Sequence, residues 1–328
     1  MKSAKLIAKI LGALGIMLIL ILDTRTSLRG ASEGIEMCIR TVIPAIFPFL
    51  VCSGYLTGNL AGSPFSFLRP LCRLCRIPAG TEGILITGIL GGYPVGAQAV
   101  VQSYQSGALP KQDALRMLGF CSNAGPSFLF GMMSVCFTGA HIPWFLWIIH
   151  MVSAITVGVL LPGGTNETVS VYKTINIQIS RALERAVRIM ALICGWVILF
   201  RVVIVFLNRW ILYALPETVR ILLIGMLELT NGCCELSLIT HPELRFVLCS
   251  GFLAFGGVCV AMQTASVISD LPLKHYLAGK LMQTLFSLLL SSAVVLHTGT
   301  PVFLFLSLFA VLIGKKQKRS GNPITVGV

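Results

Sequence analysis

Two short blocks of the chain place paired glycines and a glutamine inside long uncharged runs. They are Gly91–Gln98 and Gly256–Gln263, and they agree at both glycines, at one valine and at the final glutamine. Each glycine costs a helix about 1 kcal/mol relative to alanine, and Pro94 removes a backbone donor. We therefore expect a broken helix or a re-entrant hairpin over residues 88–98, which at membrane depth must be buried in protein or line an aqueous cavity.

Matched breaks in two halves of a membrane protein indicate a solute site, and close helix packing through small residues is the alternative. The predicted site residues in the two blocks are Gly91, Gly92, Tyr93, Pro94, Gly96, Gln98, Gly256, Gly257 and Gln263. Because a buried amide needs partners for its donor and its acceptor, Gln98 and Gln263 predict a shared polar centre.

Further polar groups lie in two other stretches. Ser122, Asn123 and Ser127 fall in a segment with glycine and proline, which predicts a third break. Glu228 and Asn231 follow an apolar run. A carboxylate there is a functional candidate if it lies within the membrane, and an ordinary interfacial group if the preceding segment is short. We add all five to the predicted substrate-binding residues, with Glu228 as a candidate carrier of a proton or a cation.

The composition determines the class of protein in which these blocks lie. The chain has 328 residues, of which 55% are hydrophobic and 11% charged, against about 25% charged in a soluble domain. This excludes a disordered chain, a nucleic-acid-binding domain and an ordinary soluble enzyme. We predict an all-α polytopic membrane protein with about 8–10 apolar helical segments. The candidate segments are 6–22, 41–62, 83–104, 117–138, 143–161, 189–208, 210–227, 246–268, 278–296 and 300–314.

The basic residues, which give a net charge of +13, lie at the edges of the apolar runs and predict cytoplasmic termini by the positive-inside rule. The first segment lacks a small-residue cleavage site and is interpreted as a retained span. Basic residues near Arg181 and Arg185 form either an interfacial amphipathic helix or the end of the next span.

We expect Cys72 and Cys75 to be free thiols, and the lone His150 and His297 to be satisfied core groups. No catalytic or metal motif is present, so we predict no enzyme activity, no cofactor and no metal site.

The glycine blocks and a second Leu-Pro echo predict an internal duplication. The expected organisation is an N-terminal span at 1–30, a first repeat at 31–165, a second repeat at 166–314 and a basic cytoplasmic tail at 315–328.

The motifs resemble those of the YlbJ-type sporulation integral membrane proteins. The resemblance rests on Gly88–Ala97, Leu118–Gly131, Leu227–Gly232 and Phe255–Ser266, and it covers residues 30–300. It implies two copies of the nucleoside-recognition Gate domain, a role in making heat-resistant spores and a place in the mother-cell plasma membrane.

We expect a transporter or permease-like binder of a small solute, or alternatively a non-transporting scaffold for spore envelope assembly. The expected partners are the lipid bilayer, a small-molecule solute, and further copies or other sporulation membrane proteins, but no nucleic acid.

Overall fold

The computed structural model describes residues 2–60, 66–137, 139, 141–164, 178–268 and 270–296. These residues form α-helices joined by short 3₁₀ and π turns, and the described part of the chain contains no strand. The predicted all-α fold is confirmed. The helices are α1 (Lys2–Leu22), α2 (Thr24–Met37), α3 (Ile43–Leu60), α4 (Arg69–Leu74), α5 (Glu82–Leu90), α6 (Val95–Gln105), α7 (Lys111–Leu118), α8 (Pro126–Cys136), α9 (Ile142–Leu160), α10 (Ile179–Trp210), α11 (Glu217–Leu227), α12 (Leu229–Glu235), α13 (Pro242–Phe255), α14 (Gly257–Val267) and α15 (Lys274–Leu296).

Within those described ranges, five stretches are long and apolar enough to cross a membrane. They are Thr24–Leu56, Ile142–Leu160, Ile179–Trp210, Pro242–Val267 and Lys274–Leu296. Many large apolar side chains on these helices and on α1 are exposed, among them Leu11, Leu22 and Leu281. Such surfaces are stable against lipid tails rather than water, so the predicted polytopic membrane protein is confirmed as well.

The long helix α10 forms the frame of the structure together with α2 and α3. Gly30 and Gly34 of α2 lie so close to α10 that a methyl group on them would meet the Cα atoms of Val202 and Ile198 at 2.8 and 2.9 Å. Small residues at these two positions allow the backbones of the two helices to approach. Because α10 runs without interruption from residue 179, the described basic residues after Gln178 form the end of this span and not a separate interfacial helix.

Two hairpins of short helices lie inside this frame. In the first hairpin the chain reverses between α5 and α6, so that Gly88 and Gly96 face each other across the turn. In the second it reverses between α11 and α12, and Gly225 faces Gly232. Each arm has 7 to 11 residues, which at 1.5 Å per residue reaches about half of a 30 Å hydrocarbon layer. Both hairpins therefore have the dimensions of re-entrant elements.

A broken helix and then a long helix follow each hairpin. The first break separates α7 from α8, before α9, and the second separates α13 from α14, before α15. The turn of each hairpin contacts the break of its own half, since Gly92 packs against Gly125 and Gly257 packs against Leu227. The same order of elements thus occurs twice.

This order differs from the pairing that the glycine blocks indicate. Gly91 and Gly92 form a hairpin turn, whereas Gly256 and Gly257 interrupt a helix whose two parts follow one another. Both places require backbone that only glycine adopts readily, with φ of +73° at Gly92 and about +80° at Gly256 and Gly257. The two blocks are similar in sequence because a hairpin turn and a helix interruption both need glycine at positive φ.

Other predicted spans also change in form. Segments 83–104 and 117–138 are each divided by a break, and segment 210–227 contains a 3₁₀ turn followed by the half-length α11. The segment 300–314, the basic tail and His297 lie outside the described residues, as does the junction of the two predicted repeats at residues 165 and 166.

Candidate functional site

The two hairpin turns, the first break and helix α14 contribute to the wall of a small central cavity. Its volume is about 40 Å³, which is enough for water-sized groups. Backbone of the first turn and first break lines one side, through Gly91, Gly92 and Gly125. The polar side chains in its wall come from both halves of the chain, and they are Tyr93, Ser127, Glu228, Thr230 and Gln263.

Glu228 occupies the turn of the second hairpin and caps α12. Its side chain is 2% exposed, and its oxygens accept hydrogen bonds from the backbone N–H groups of Thr230 at 3.0 Å and Asn231 at 2.6 Å. The side-chain amide of Asn231 donates a third bond at 2.6 Å. Glu228 is therefore a buried carboxylate that accepts three hydrogen bonds at the helix N-terminus, where the helix dipole favours negative charge. It does not lie at an exposed membrane interface.

Gln263 and Gln98 are not equivalent in the structure. Gln263 is 3% exposed, lies on the cavity wall and donates a 3.4 Å hydrogen bond to the sulfur of Cys259. Gln98 is half-buried on α6 and is not among the residues that line the cavity. The structure therefore does not bring the two glutamines together in one polar centre.

A buried lysine that is not among the predicted site residues lies behind the cavity. Lys280 on α15 is fully buried, and its ammonium donates to the Tyr93 hydroxyl at 3.2 Å, to Asn123 Oδ1 at 3.4 Å and to Gln283 Oε1 at 2.6 Å. The ammonium also lies 5.0 Å from the centre of the Tyr93 ring. Lys280 thus ties the first hairpin turn and the first break to a helix of the second half.

Gln283 completes this cluster, since its amide donates to Asn123 Oδ1 at 3.1 Å and to the carbonyl of His150 at 3.2 Å. The signal for Lys280 was present in the sequence, because an ionisable residue inside an apolar segment is a functional candidate. It was missed because it lies immediately before the charge-free run that begins at Leu281.

The remaining predicted residues pack around the cavity without facing it. Gly96 lies against the carbonyl group of Cys121, Pro94 is buried at the start of α6, and Ser122 is buried with no partner for its hydroxyl among the described residues. Asn123 bonds within the Lys280 cluster and to the carbonyl of Phe120 at 2.8 Å.

The structure also describes the thiols and histidines considered in the sequence analysis. Cys72 and Cys75 are buried thiols that form no disulfide bond. Burial raises the pKa of the Cys72 thiol to about 12, which disfavours the thiolate that redox and metal chemistry require. One ring nitrogen of His150 accepts a 3.0 Å bond from the N–H of Ala124, while Nδ1 has no partner in the described part of the chain. Over those same residues, no three His, Cys, Asp or Glu side chains lie close enough together to hold a metal ion.

The chain has membrane-spanning helices, half-length hairpins and broken helices around a cavity with polar groups in its wall. These features define its class as a polytopic α-helical membrane protein. Sequence comparison narrows the class. The chain is 23% identical over 317 residues to the sporulation integral membrane protein YlbJ of Bacillus subtilis (strain 168), and the match covers 80% of this chain and 76% of that protein. The predicted resemblance to YlbJ-type sporulation integral membrane proteins is confirmed. No protein-family profile matches the chain, and no solved structure matches it.

Proposed function

We propose that this sporulation integral membrane protein binds a small neutral polar solute in the central cavity and moves it across the membrane without altering it chemically. The observation that carries the proposal is the convergence of both hairpin turns, the first break and helix α14, which follows the second break, on one cavity that contains polar groups. The first turn and first break contribute backbone, and Glu228 and Gln263 contribute side chains. Irregular backbone at membrane depth is stable only against protein or a solvated cavity.

The chemistry of the cavity wall supports a neutral solute. Among the described residues that line it, Glu228 is the charged one, and its oxygens already accept three hydrogen bonds from α12. Hydrogen bonding to a solute is left to uncharged groups such as the hydroxyls of Ser127 and Thr230 and the amide of Gln263. In this proposal Glu228 exchanges a proton during transport.

The small size of the cavity indicates that the structure shows the proposed transporter closed to a solute larger than water. A volume of about 40 Å³ accepts water-sized groups, so a larger solute enters only when a hairpin moves. Each hairpin turn rests on the break of its own half, which makes those contacts the natural place for opening. The proposal places the protein in the mother-cell plasma membrane with both termini cytoplasmic, as a member of the Gate-domain proteins that contributes to spore heat resistance.

The two glutamines provide a matched pair of variants for the experiment. Purified protein is screened by thermal shift against nucleosides, dipicolinate, amino acids and metal ions, because a specific ligand stabilises the folded state by mass action. We expect Gln263→Leu to weaken binding of a ligand found in this way by at least about 5-fold, the cost of about one hydrogen bond. Gln98→Leu, outside the cavity wall, should bind as the wild type does.

The same two variants are tested in spores. We expect Gln263→Leu to reduce the yield of heat-resistant spores in a host that depends on this chain, and Gln98→Leu to leave the yield unchanged. Wild-type ligand binding and spore yield in Gln263→Leu would contradict the proposal.

A second candidate function, a non-transporting membrane scaffold, has its own support. Four glycines of the hairpins lie directly against neighbouring backbone or against the Phe252 ring, as expected for glycines that serve tight helix packing. They are Gly88, Gly96, Gly225 and Gly232. A chain that binds none of the screened compounds, yet whose loss prevents assembly of the spore envelope, would favour the scaffold.

A further inference from the structure

A second, much larger opening lies between α2 and α10. This cleft has a volume of about 470 Å³, and its charged lining consists of Arg29, Glu33, Arg201 and Arg209. The side chain of Arg29 is 74% exposed and that of Arg209 is 59% exposed. Charged groups of this kind are costly in hydrocarbon and are found where water reaches them. The lining therefore indicates an aqueous cleft rather than a lipid-facing groove.

A short series of hydrogen bonds joins the cleft to the central cavity. Glu33 accepts from Arg201 at 2.8 and 3.0 Å, and Arg201 donates its third nitrogen to Asn231 Oδ1 at 2.6 Å. The other end of the Asn231 amide donates to Glu228 at 2.6 Å. Glu228 lines the central cavity and Arg201 lines the cleft. The buried side chain of Asn231, which bonds to both, therefore lies between the cavity and the cleft.

The contacts of Arg201 distinguish this layer from an ordinary surface ion pair. Its guanidinium is 20% exposed and uses all three nitrogens, two on Glu33 and one on Asn231. Glu33 lies on α2 and Asn231 lies on the second hairpin. Arg201 therefore joins the frame to a hairpin that carries part of the cavity wall, and its position depends on both.

We propose that the cleft between α2 and α10 is the aqueous entrance to the central cavity, and that the Glu33–Arg201–Asn231 layer closes this entrance. Arg201 acts as a positioning residue that holds Asn231 over Glu228. Release of Arg201 from Glu33 frees the amide of Asn231 and opens the cavity to the cleft. This inference rests on the proposed solute site for its purpose, but its test measures access of water-soluble reagents and not solute binding.

The experiment measures how fast Glu228 reacts with a water-soluble carbodiimide and glycinamide in the purified full-length protein, with the modified peptide quantified by mass spectrometry. The variant is Glu33→Ala. The matched control is Glu36→Ala on the same helix α2, which removes the partner of Arg40 in an exposed ion pair (3.0 Å). We expect slow modification of Glu228 in the wild type and in Glu36→Ala, and at least a 5-fold faster modification in Glu33→Ala.

A conservative variant keeps the test decisive if Glu33→Ala is poorly folded. Glu33→Gln keeps the length of the side chain and an oxygen that accepts from Arg201, while Arg201 still donates to Asn231, and we expect its modification rate of Glu228 to lie closer to that of the wild type than that of Glu33→Ala does. An unchanged rate in Glu33→Ala, or an equal increase in Glu36→Ala, would overturn the proposal. Faster modification together with unchanged ligand binding by Gln263→Leu would retain the entrance and reject the solute site.

Discussion

Gly88→Ala directly tests the packing of the first hairpin. Gly88 lies on α5 with its Cα facing the first break, and a methyl group built there would fall on the carbonyl oxygen of Cys121 and 2.8 Å from its carbonyl carbon. Both obstacles are backbone atoms, which cannot move aside as a flexible side chain can. The hairpin must therefore withdraw from the break, by at least about 0.6 Å to bring the carbon atoms to an ordinary separation of about 3.4 Å.

The size of the effect follows from two opposing contributions. Overpacking of an interior costs about 1–3 kcal/mol, and the upper end applies because the clash is with backbone. Replacing a helical glycine by alanine returns about 1 kcal/mol. We expect a net loss of about 2 kcal/mol for Gly88→Ala. Gly195 on α10 is the matched control, because no atom of the described residues lies within 4 Å of a methyl group at that position. Gly195→Ala should therefore gain up to about 1 kcal/mol.

The assay is thermal unfolding in detergent, followed with a thiol-reactive fluorophore that reports exposure of buried cysteines such as Cys121 and Cys249. We expect the midpoint of Gly88→Ala to fall and that of Gly195→Ala to stay or rise. A midpoint for Gly88→Ala equal to or above that of the wild type would refute the close contact between the hairpin and the break. So would an equal fall in both variants, since that would reflect a general effect of alanine.

Two further variants test the polar cluster and the second break in the same assay. Gln283→Leu should lower the free energy of unfolding by about 3 kcal/mol, because it removes a buried amide that bonds to Lys280, Asn123 and His150. The control Gln102→Leu, on the exposed face of α6, should have little effect. Equal midpoints for the two variants would show that the cluster does not stabilise the fold. Gly256→Ala should cost about 1–2 kcal/mol because φ at this residue is +80°, and a stability equal to that of the wild type would mean that the break relaxes without strain.

The fold class could be predicted from the sequence because it depends on composition. Charge-free runs long enough to cross a bilayer have no stable alternative in water. The positions of three interruptions were also predictable, since the glycine pairs at Gly91 and Gly256 and the Gly-Pro step at Gly125 disfavour helix. The second hairpin turn, at Glu228, has no glycine or proline that would indicate it. These local effects act within a few residues, so the sequence carries them directly.

The pairing of the interruptions could not be predicted from the same signals. A glycine pair indicates that the backbone departs from a helix, but it does not indicate whether the chain then reverses or continues. The first block reverses and the second continues. The choice depends on what packs on either side, such as the contact of Gly92 with Gly125, and such contacts are not encoded in the spacing of residues along the chain.

The Lys280 cluster and the Arg201 layer were missed for a related reason. Each joins residues that are far apart in the sequence, Lys280 with Tyr93 and Arg201 with Glu33. The charge pattern assigns such residues to segment ends, where basic groups are common. The structure instead places Lys280 in the interior and Arg201 well inside a continuous helix.

The position of Arg201 along α10 also affects how a membrane voltage acts on the protein. Arg188 and Arg201 lie 13 residues apart on this helix, or about 20 Å at 1.5 Å per residue, whereas the hydrocarbon layer is about 30 Å thick. If Arg188 lies at one surface of the hydrocarbon layer, the proposed aqueous cleft at Arg201 brings solution about 10 Å below the other surface. The potential then falls across the remaining 20 Å, so the electric field there is about half as strong again as in plain bilayer. The electrical free energy of a unit charge changes by about 2.3 kcal/mol when it crosses this thinned region at a membrane potential of 100 mV.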